Sequence, residues 1–194
     1  MQRAGYHVHD GFYLRLAAGL GAGHFNVSTD SRAASDFSVG GAGLGLNVWL
    51  GGTPWRGVAL GGMLMIQGIN DSNTHVSGHS THETMNGGIF YLGPFIDAFP
   101  DPMRGLHVGG SLGLTGFSAK AEGDELEVVH QVKDYNSGGF GASAWVGYMG
   151  FVGPEWSLGG LLQLTALATS KTEDDIKRNA SGYAVTLSFS ALYN

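Results

Sequence analysis

The chain has 194 residues, with 34 glycines, no cysteine, 43% hydrophobic residues, only 13% charged residues and a formal charge of −6. Average soluble proteins carry roughly 25% charged residues, so the shortage needs a structural cause, while the wealth of aliphatic and aromatic side chains excludes disorder and the absence of a three-residue glycine repeat excludes collagen. The acidic balance excludes a nucleic-acid partner, which needs a basic stripe, and the lack of cysteine excludes disulfides and thiolate metal sites.

One domain is expected over residues 1–194. The opening Met1-Gln2-Arg3-Ala4-Gly5-Tyr6-His7 has no apolar signal-peptide core, which suggests a mature chain carrying an added initiator methionine. The first element is predicted at 11–25. There Phe12, Leu14, Leu16, Ala18, Leu20 and Ala22 alternate with Tyr13, Arg15, Ala17, Gly19, Gly21 and Gly23. An uncharged run of about 20 residues can also be a transmembrane helix, but a period of two separates the faces of a strand and not of a helix.

The same split recurs at 37–50, where Ala42, Leu44, Leu46, Val48 and Leu50 oppose Gly41, Gly43, Gly45, Asn47 and Trp49, and at 56–68, where Val58, Leu60, Leu64 and Ile66 oppose Ala59, Gly61 and Gln67. The fourth segment, 86–98, is apolar on both faces, and Phe90, Leu92 and Ile96 are assigned to its outer face. Strand 104–118 alternates Leu106, Val108, Leu112 and Leu114 with His107, Gly109, Ser111 and Gly113. Segment 138–152 is again two-faced, with Phe140, Ala142, Ala144, Val146 and Tyr148 assigned outward. Strands 156–169 and 182–193 complete the set, the last being the cleanest alternation in the chain.

Short Pro- or Gly-containing turns follow strands 2, 4 and 6, and long polar loops near 26–37, 68–86, 118–138 and 169–181 follow strands 1, 3, 5 and 7. Glycine and alanine crowd one face, which in a narrow barrel points inward and permits strong curvature. A soluble barrel would put its apolar residues inside instead. The fold class is therefore an all-β, eight-stranded antiparallel up-and-down transmembrane β-barrel, with short periplasmic turns, long outer loops and both termini in the periplasm. Trp55, Trp156 and Tyr193 are expected at the membrane interface as an aromatic girdle.

At His9-Asp10-Gly11-Phe12-Tyr13-Leu14-Arg15-Leu16, and at Gly93-Pro94-Phe95-Ile96-Asp97 leading into a Pro-containing turn, the chain resembles the small eight-stranded bacterial outer-membrane proteins of the OmpX and OmpW kind, and the pattern covers essentially its full length. The closing strand of that family ends on an aromatic residue; here Tyr193 is followed by Asn194. The resemblance implies an outer-membrane location in a Gram-negative bacterium. Family members pass small or apolar solutes, adhere, resist host factors or, in a few cases, modify lipids, so the fold alone does not choose a function.

The predicted lumen set is Tyr13, Arg15, Asn47, Trp49, Gln67, His107, Trp145 and Gln163. Arg15 is costly to bury without a partner, and Asp97, near the same barrel end, is the candidate for an inner salt bridge. His75, His79 and His82, with Glu83 alongside, form a candidate metal site, weighed against a solvated loop. Acidic residues at Glu122, Asp124, Glu125, Glu127, Asp134 and Glu173 to Asp175 could hold cations between lipopolysaccharide phosphates, or simply keep the loops soluble.

His107 and Ser111 share one strand face, but four residues span roughly 13 Å at about 3.3 Å each, too far for a base and its nucleophile. No enzyme activity and no cofactor are expected. The function expected is a structural or surface-interaction role through the outer loops, with a narrow channel for small apolar molecules as the alternative and a lipid-modifying enzyme as the third choice. Expected partners are outer-membrane lipids and lipopolysaccharide, with small apolar solutes under the channel reading, and the chain is expected to be a monomer.

Overall fold

A computed structural model describes residues 11–29, 36–71, 74–76, 79–81, 84–122, 134–173 and 176–193. Eight long strands form the wall: β1 (Gly11–Thr29), β2 (Phe37–Trp55), β3 (Val58–Asp71), β6 (Thr84–Ala98), β7 (Leu106–Glu122), β8 (Asp134–Phe151), β9 (Trp156–Glu173) and β10 (Ile176–Tyr193). A small hairpin, β4 (Thr74–Val76) and β5 (His79–Thr81), leans on the start of β2. Every pairing is antiparallel between chain neighbours in the wall, and β1 pairs with both β2 and β10, which closes the barrel. Closure leaves the wall no free edge strand.

The period of two becomes a separation of lipid side from lumen side. Leu44 is 71% and Leu112 72% exposed, whereas Arg15 and Trp49 are fully buried. An apolar outer face with charges and amides inside is the reverse of a soluble barrel and suits hydrocarbon as solvent. Phe90, Leu92 and Ile96 on β6, and Phe140, Val146 and Tyr148 on β8, all face outward, so the two segments apolar on both faces take the expected register.

Strand ends differ from expectation at the barrel end opposite the short turns. The strands predicted at 11–25, 104–118, 156–169 and 182–193 run as Gly11–Thr29, Leu106–Glu122, Trp156–Glu173 and Ile176–Tyr193, and the segment expected as a loop at 169–181 is mostly hairpin, with Glu173 paired to Ile176. The reason is a change of outer solvent. Beyond the apolar band the outer face becomes Asn26, Ser28, Ser118, Asn136, Ser170 and Ser181, which reads as loop, yet the inner face stays apolar with Phe25, Val27, Phe37, Val39, Phe117 and Ala180 buried. Strands with a dry inner face and a wet outer face continue past the membrane. At the other end the strand predicted at 37–50 runs to Trp55 and the expected start at 56 becomes Val58, because the turn is formed by Arg56 and Gly57, Gly57 with a φ of 76°, and not by Gly51 to Pro54.

Inward glycines stand where neighbouring strands approach too closely for a side chain. Gly51 and Gly61 face one another across β2 and β3, and a Cβ on Gly61 would lie 2.6 Å from the Gly51 Cα and closer still to the Leu50 carbonyl oxygen. No rotamer relieves a clash with backbone. A Gly61→Val variant is expected to lose the folded barrel, read as loss of the compact, heat-modifiable band on unheated SDS gels; an unchanged band would contradict this account of the close approach.

Candidate functional site: the barrel lumen

All eight residues predicted to line the lumen lie inside the barrel, and each is at most 4% exposed. The structure sorts them into layers. At the short-turn end β1 supplies Tyr13 and Arg15, the end of β6 supplies Asp97, the start of β7 supplies His107, β8 supplies Trp145 and β2 supplies Trp49. Asp97 is the acceptor at the centre. Its Oδ2 accepts from the Tyr13 hydroxyl at 2.6 Å and from Arg15 Nη1 at 2.7 Å, and its Oδ1 accepts from His107 Nδ1 and Trp145 Nε1, both at 3.0 Å. Arg15 Nη1 also donates to the Tyr13 oxygen at 2.9 Å.

Donation from Nδ1 to the carboxylate sets the tautomer of His107, and the imidazole ring stacks on Phe99 with centroids 5.1 Å apart. The Arg15 guanidinium lies 4.4 Å from the Trp49 ring centroid and 5.9 Å from that of Trp145. Two aromatic faces and one carboxylate thus replace water around a fully buried cation, by cation–π attraction and charge-assisted hydrogen bonds. Such a pair is marginal in net stability, but either partner alone would be an uncompensated buried charge.

The next layer is neutral and polar. Gln163 Nε2 donates to the Ser143 oxygen at 2.9 Å and lies 3.4 Å from the Met65 sulfur, while Ser143 and Thr165 share a 3.0 Å hydrogen bond. The Thr186 hydroxyl donates to Gln67 Oε1 at 2.8 Å. Tyr91 donates to the Ser111 oxygen at 2.8 Å, and Ser111 donates to the Pro94 carbonyl at 2.7 Å. Pro94 lacks an N–H and falls where the β6–β7 register omits pairs between Leu92 and Phe95; the Ser111 hydroxyl gives the Pro94 carbonyl a donor there, while the missing Pro94 donor is not replaced.

Toward the loop end the lumen becomes aromatic. Phe25 stacks on Phe117 at 5.0 Å, Phe117 lies 6.1 Å from Tyr135, and Phe37 meets Tyr135 edge-on at 6.0 Å. These residues, with Tyr91 and Ser143, are absent from the predicted lumen set. The signal for them is parity: each sits an even number of positions from a residue already assigned inward.

Ser111, the hydroxyl nearest His107 along its strand, is engaged by Tyr91 and Pro94. His24 is on the exposed outer face, and Ser28 donates to the Asn179 carbonyl at 3.4 Å. Trp55 and Trp156 are exposed beside the short turns, and Trp156 and Tyr193 pack edge to face at 5.2 Å. The backbones of His75 and His79 lie in β4 and β5, but their side chains, and all of His82, lie outside the described residues. So do Asp124, Glu125, Glu127, Asp174 and Asp175, and the side chains of Glu122, Asp134 and Glu173.

No family model and no curated protein sequence matches the chain. Solved structures do. The outer-membrane protein OprG from Pseudomonas aeruginosa superposes with a TM-score of 0.61 at 12% identity, covering 97% of this chain and 99% of that one. Neisserial surface protein A gives a TM-score of 0.54 at 13% identity, covering 94% of this chain and 96% of that one. At such identities the likeness speaks for fold. It agrees with the closed wall, the apolar outer band and the polar lumen: the chain folds as a small eight-stranded antiparallel transmembrane β-barrel of the bacterial outer-membrane kind.

Proposed function

We propose that the protein is an outer-membrane barrel with its lumen closed to ions, and that it acts through the hairpins and loops displayed beyond the membrane, in a structural or surface-interaction role. The observation that carries this reading is the Asp97 cluster, in which four donors converge on one carboxylate between two indole rings. An eight-stranded barrel has an interior only wide enough for its side chains, and these are among the largest. In this reading the short turns and termini face the periplasm, as short turns do in bacterial barrels, and Trp55, Trp156 and Tyr193 form the aromatic girdle at that interface. Lipid and lipopolysaccharide acyl chains surround the apolar band, and a monomer suffices because closure leaves no edge to pair.

Catalysis is not part of this reading. Asp97 orients His107, but His107 Nε2 has no partner among the described residues, so no nucleophile is poised for it.

A second reading, passage of small apolar molecules, draws on the aromatic layer of Phe25, Phe37, Phe117 and Tyr135 at the loop end. Conductance in planar bilayers, with uptake of small apolar solutes into proteoliposomes, separates the two. The purified protein is expected to give no discrete channel events and no uptake above protein-free vesicles. Reproducible single-channel steps would overturn closure, and uptake without steps would favour the second reading.

A further inference from the structure

The apolar band ends differently at the two ends of the barrel. Beside the short turns it ends on Trp55, Trp156 and Tyr193. At the loop end it meets a hollow of about 320 Å³, lined on the outer face by Ile66, Gly88, Phe90, Gly116, Ser118 and Asn136. The register carries this boundary across four strands, where Gly68 pairs with Gly88 and Gly116 with Gly138, all facing outward. On the membrane side of these glycines the next outward residues are Ile66, Phe90, Leu114 and Phe140; on the loop side they are Asn70, Asn86, Ser118 and Asn136. Followed once round the wall from Leu60, the ladder returns at Asn70, ten residues nearer the loop end. Each step from β3 toward β8 therefore climbs about one residue, and the two-residue drop from Ser118, the partner of Gly88, to Gly116 keeps the four glycines at about one depth.

The wall itself has no need of glycine there. Among the described residues, a Cβ at Gly68, Gly116 or Gly138 would meet no atom nearer than 3.8 Å, and at Gly88 the nearest is the rotatable Ser118 hydroxyl at 3.3 Å. None of the four has a positive φ, and the pairing runs through them without a register shift. Glycine inside a strand costs about 0.5–1 kcal/mol relative to alanine; where no bulge or tight bend calls for it, it marks the close approach of a ligand.

We propose that this groove seats the sugar–phosphate headgroup of one outer-leaflet glycolipid of the lipid A class, with its acyl chains against Ile66 and Phe90. A bare backbone floor takes the flat face of a sugar ring. The amide and hydroxyl row supplies donors and acceptors for ring hydroxyls and amide-linked chains. Lys120, exposed and the next outward residue beyond Ser118, offers a cation to a phosphate. Asp134 is the ladder partner of Lys120, so that charge is local, and it is the neutral row that favours a sugar over the small anionic headgroup of a phospholipid.

The inference rests on the reading that the long-loop end faces outward. The two fail separately, because conductance and uptake test the lumen while lipid binding tests the outer face. The purified barrel, folded in detergent without lipopolysaccharide, is mixed with diphosphoryl lipid A or with phosphatidylglycerol and measured by native mass spectrometry. One lipid A per barrel is expected, held about ten-fold or more tightly than phosphatidylglycerol. Gly116→Leu fills the groove and should lose that preference. Gly62→Leu, at an outward glycine of β3 near the short turns with open space around it, should keep it. Equal binding of the two lipids, a Gly116→Leu barrel that binds like the parent, or a Gly62→Leu barrel that loses the preference would each overturn the proposal. Gly116→Leu should retain the heat-modifiable band, since a Cβ has room there; if it does not, Asn136→Leu, at an exposed position, gives the same readout with the same deciding outcomes.

Discussion

Asp97→Ala is expected to destabilise the barrel by about 3–5 kcal/mol, the range seen when one partner of a buried ion pair is removed. The change strips Arg15 of its counter-charge and leaves the Tyr13, His107 and Trp145 donors facing a void. Urea unfolding in detergent or lipid, followed by tryptophan fluorescence, measures it. The double variant Arg15→Met with Asp97→Leu should recover the part of the loss that comes from the unpaired Arg15 charge, since two apolar side chains replace a pair whose desolvation cost nearly cancels its attraction, while Tyr13, His107 and Trp145 still lack their acceptor. A single variant within experimental error of the parent, or a double variant as unstable as the single, would mean that the pair does not organise the lumen.

The second large effect belongs to the outer face. Leu162 lies half-exposed on β9 near the middle of the apolar run from Leu158 to Ala168, and Ser170 lies beyond it on the same face of the same strand. Leu162→Arg should cost about 2–4 kcal/mol, as cations do at the midplane of a bilayer, and Ser170→Arg only about 0–1 kcal/mol, as they do near or beyond the interface. The contrast carries the information, because both substitutions add the same side chain to a wall position with the same backbone pairing on either side. Equal costs would remove the case for where the membrane ends, and with it the account of why the strands outrun their apolar pattern.

That account also explains what was legible from the residues alone. The alternation of Phe12, Leu14, Leu16 against Tyr13, Arg15, Ala17 encodes strand, face and lumen together, because in a membrane barrel one face meets hydrocarbon throughout. The Arg15–Asp97 bridge, observed at 2.7 Å, follows from the same logic: two opposite charges near one barrel end can be buried only against each other. Strand length was not legible. Once Asn26, Ser28, Ser170 and Ser181 replace leucines the outer face looks like loop, and only the inner residues Phe25, Phe117 and Ala180 betray the continuing strand. The convergence of Tyr13, His107 and Trp145 on one carboxylate was not legible either. It depends on how far each strand is sheared against the next, which periodicity does not contain.

The four tryptophans divide between the two sides of the wall, Trp49 and Trp145 buried in the lumen, Trp55 and Trp156 exposed beside the short turns, and so offer the most direct test of a closed, inside-out barrel. In single-tryptophan variants reconstituted in bilayers, brominated lipids should quench Trp55 and Trp156, and neither these lipids nor aqueous acrylamide should quench Trp49 or Trp145. Acrylamide quenching of Trp145 in the folded barrel would show an open lumen, and lipid quenching of Trp49 would show that the faces had been assigned the wrong way round.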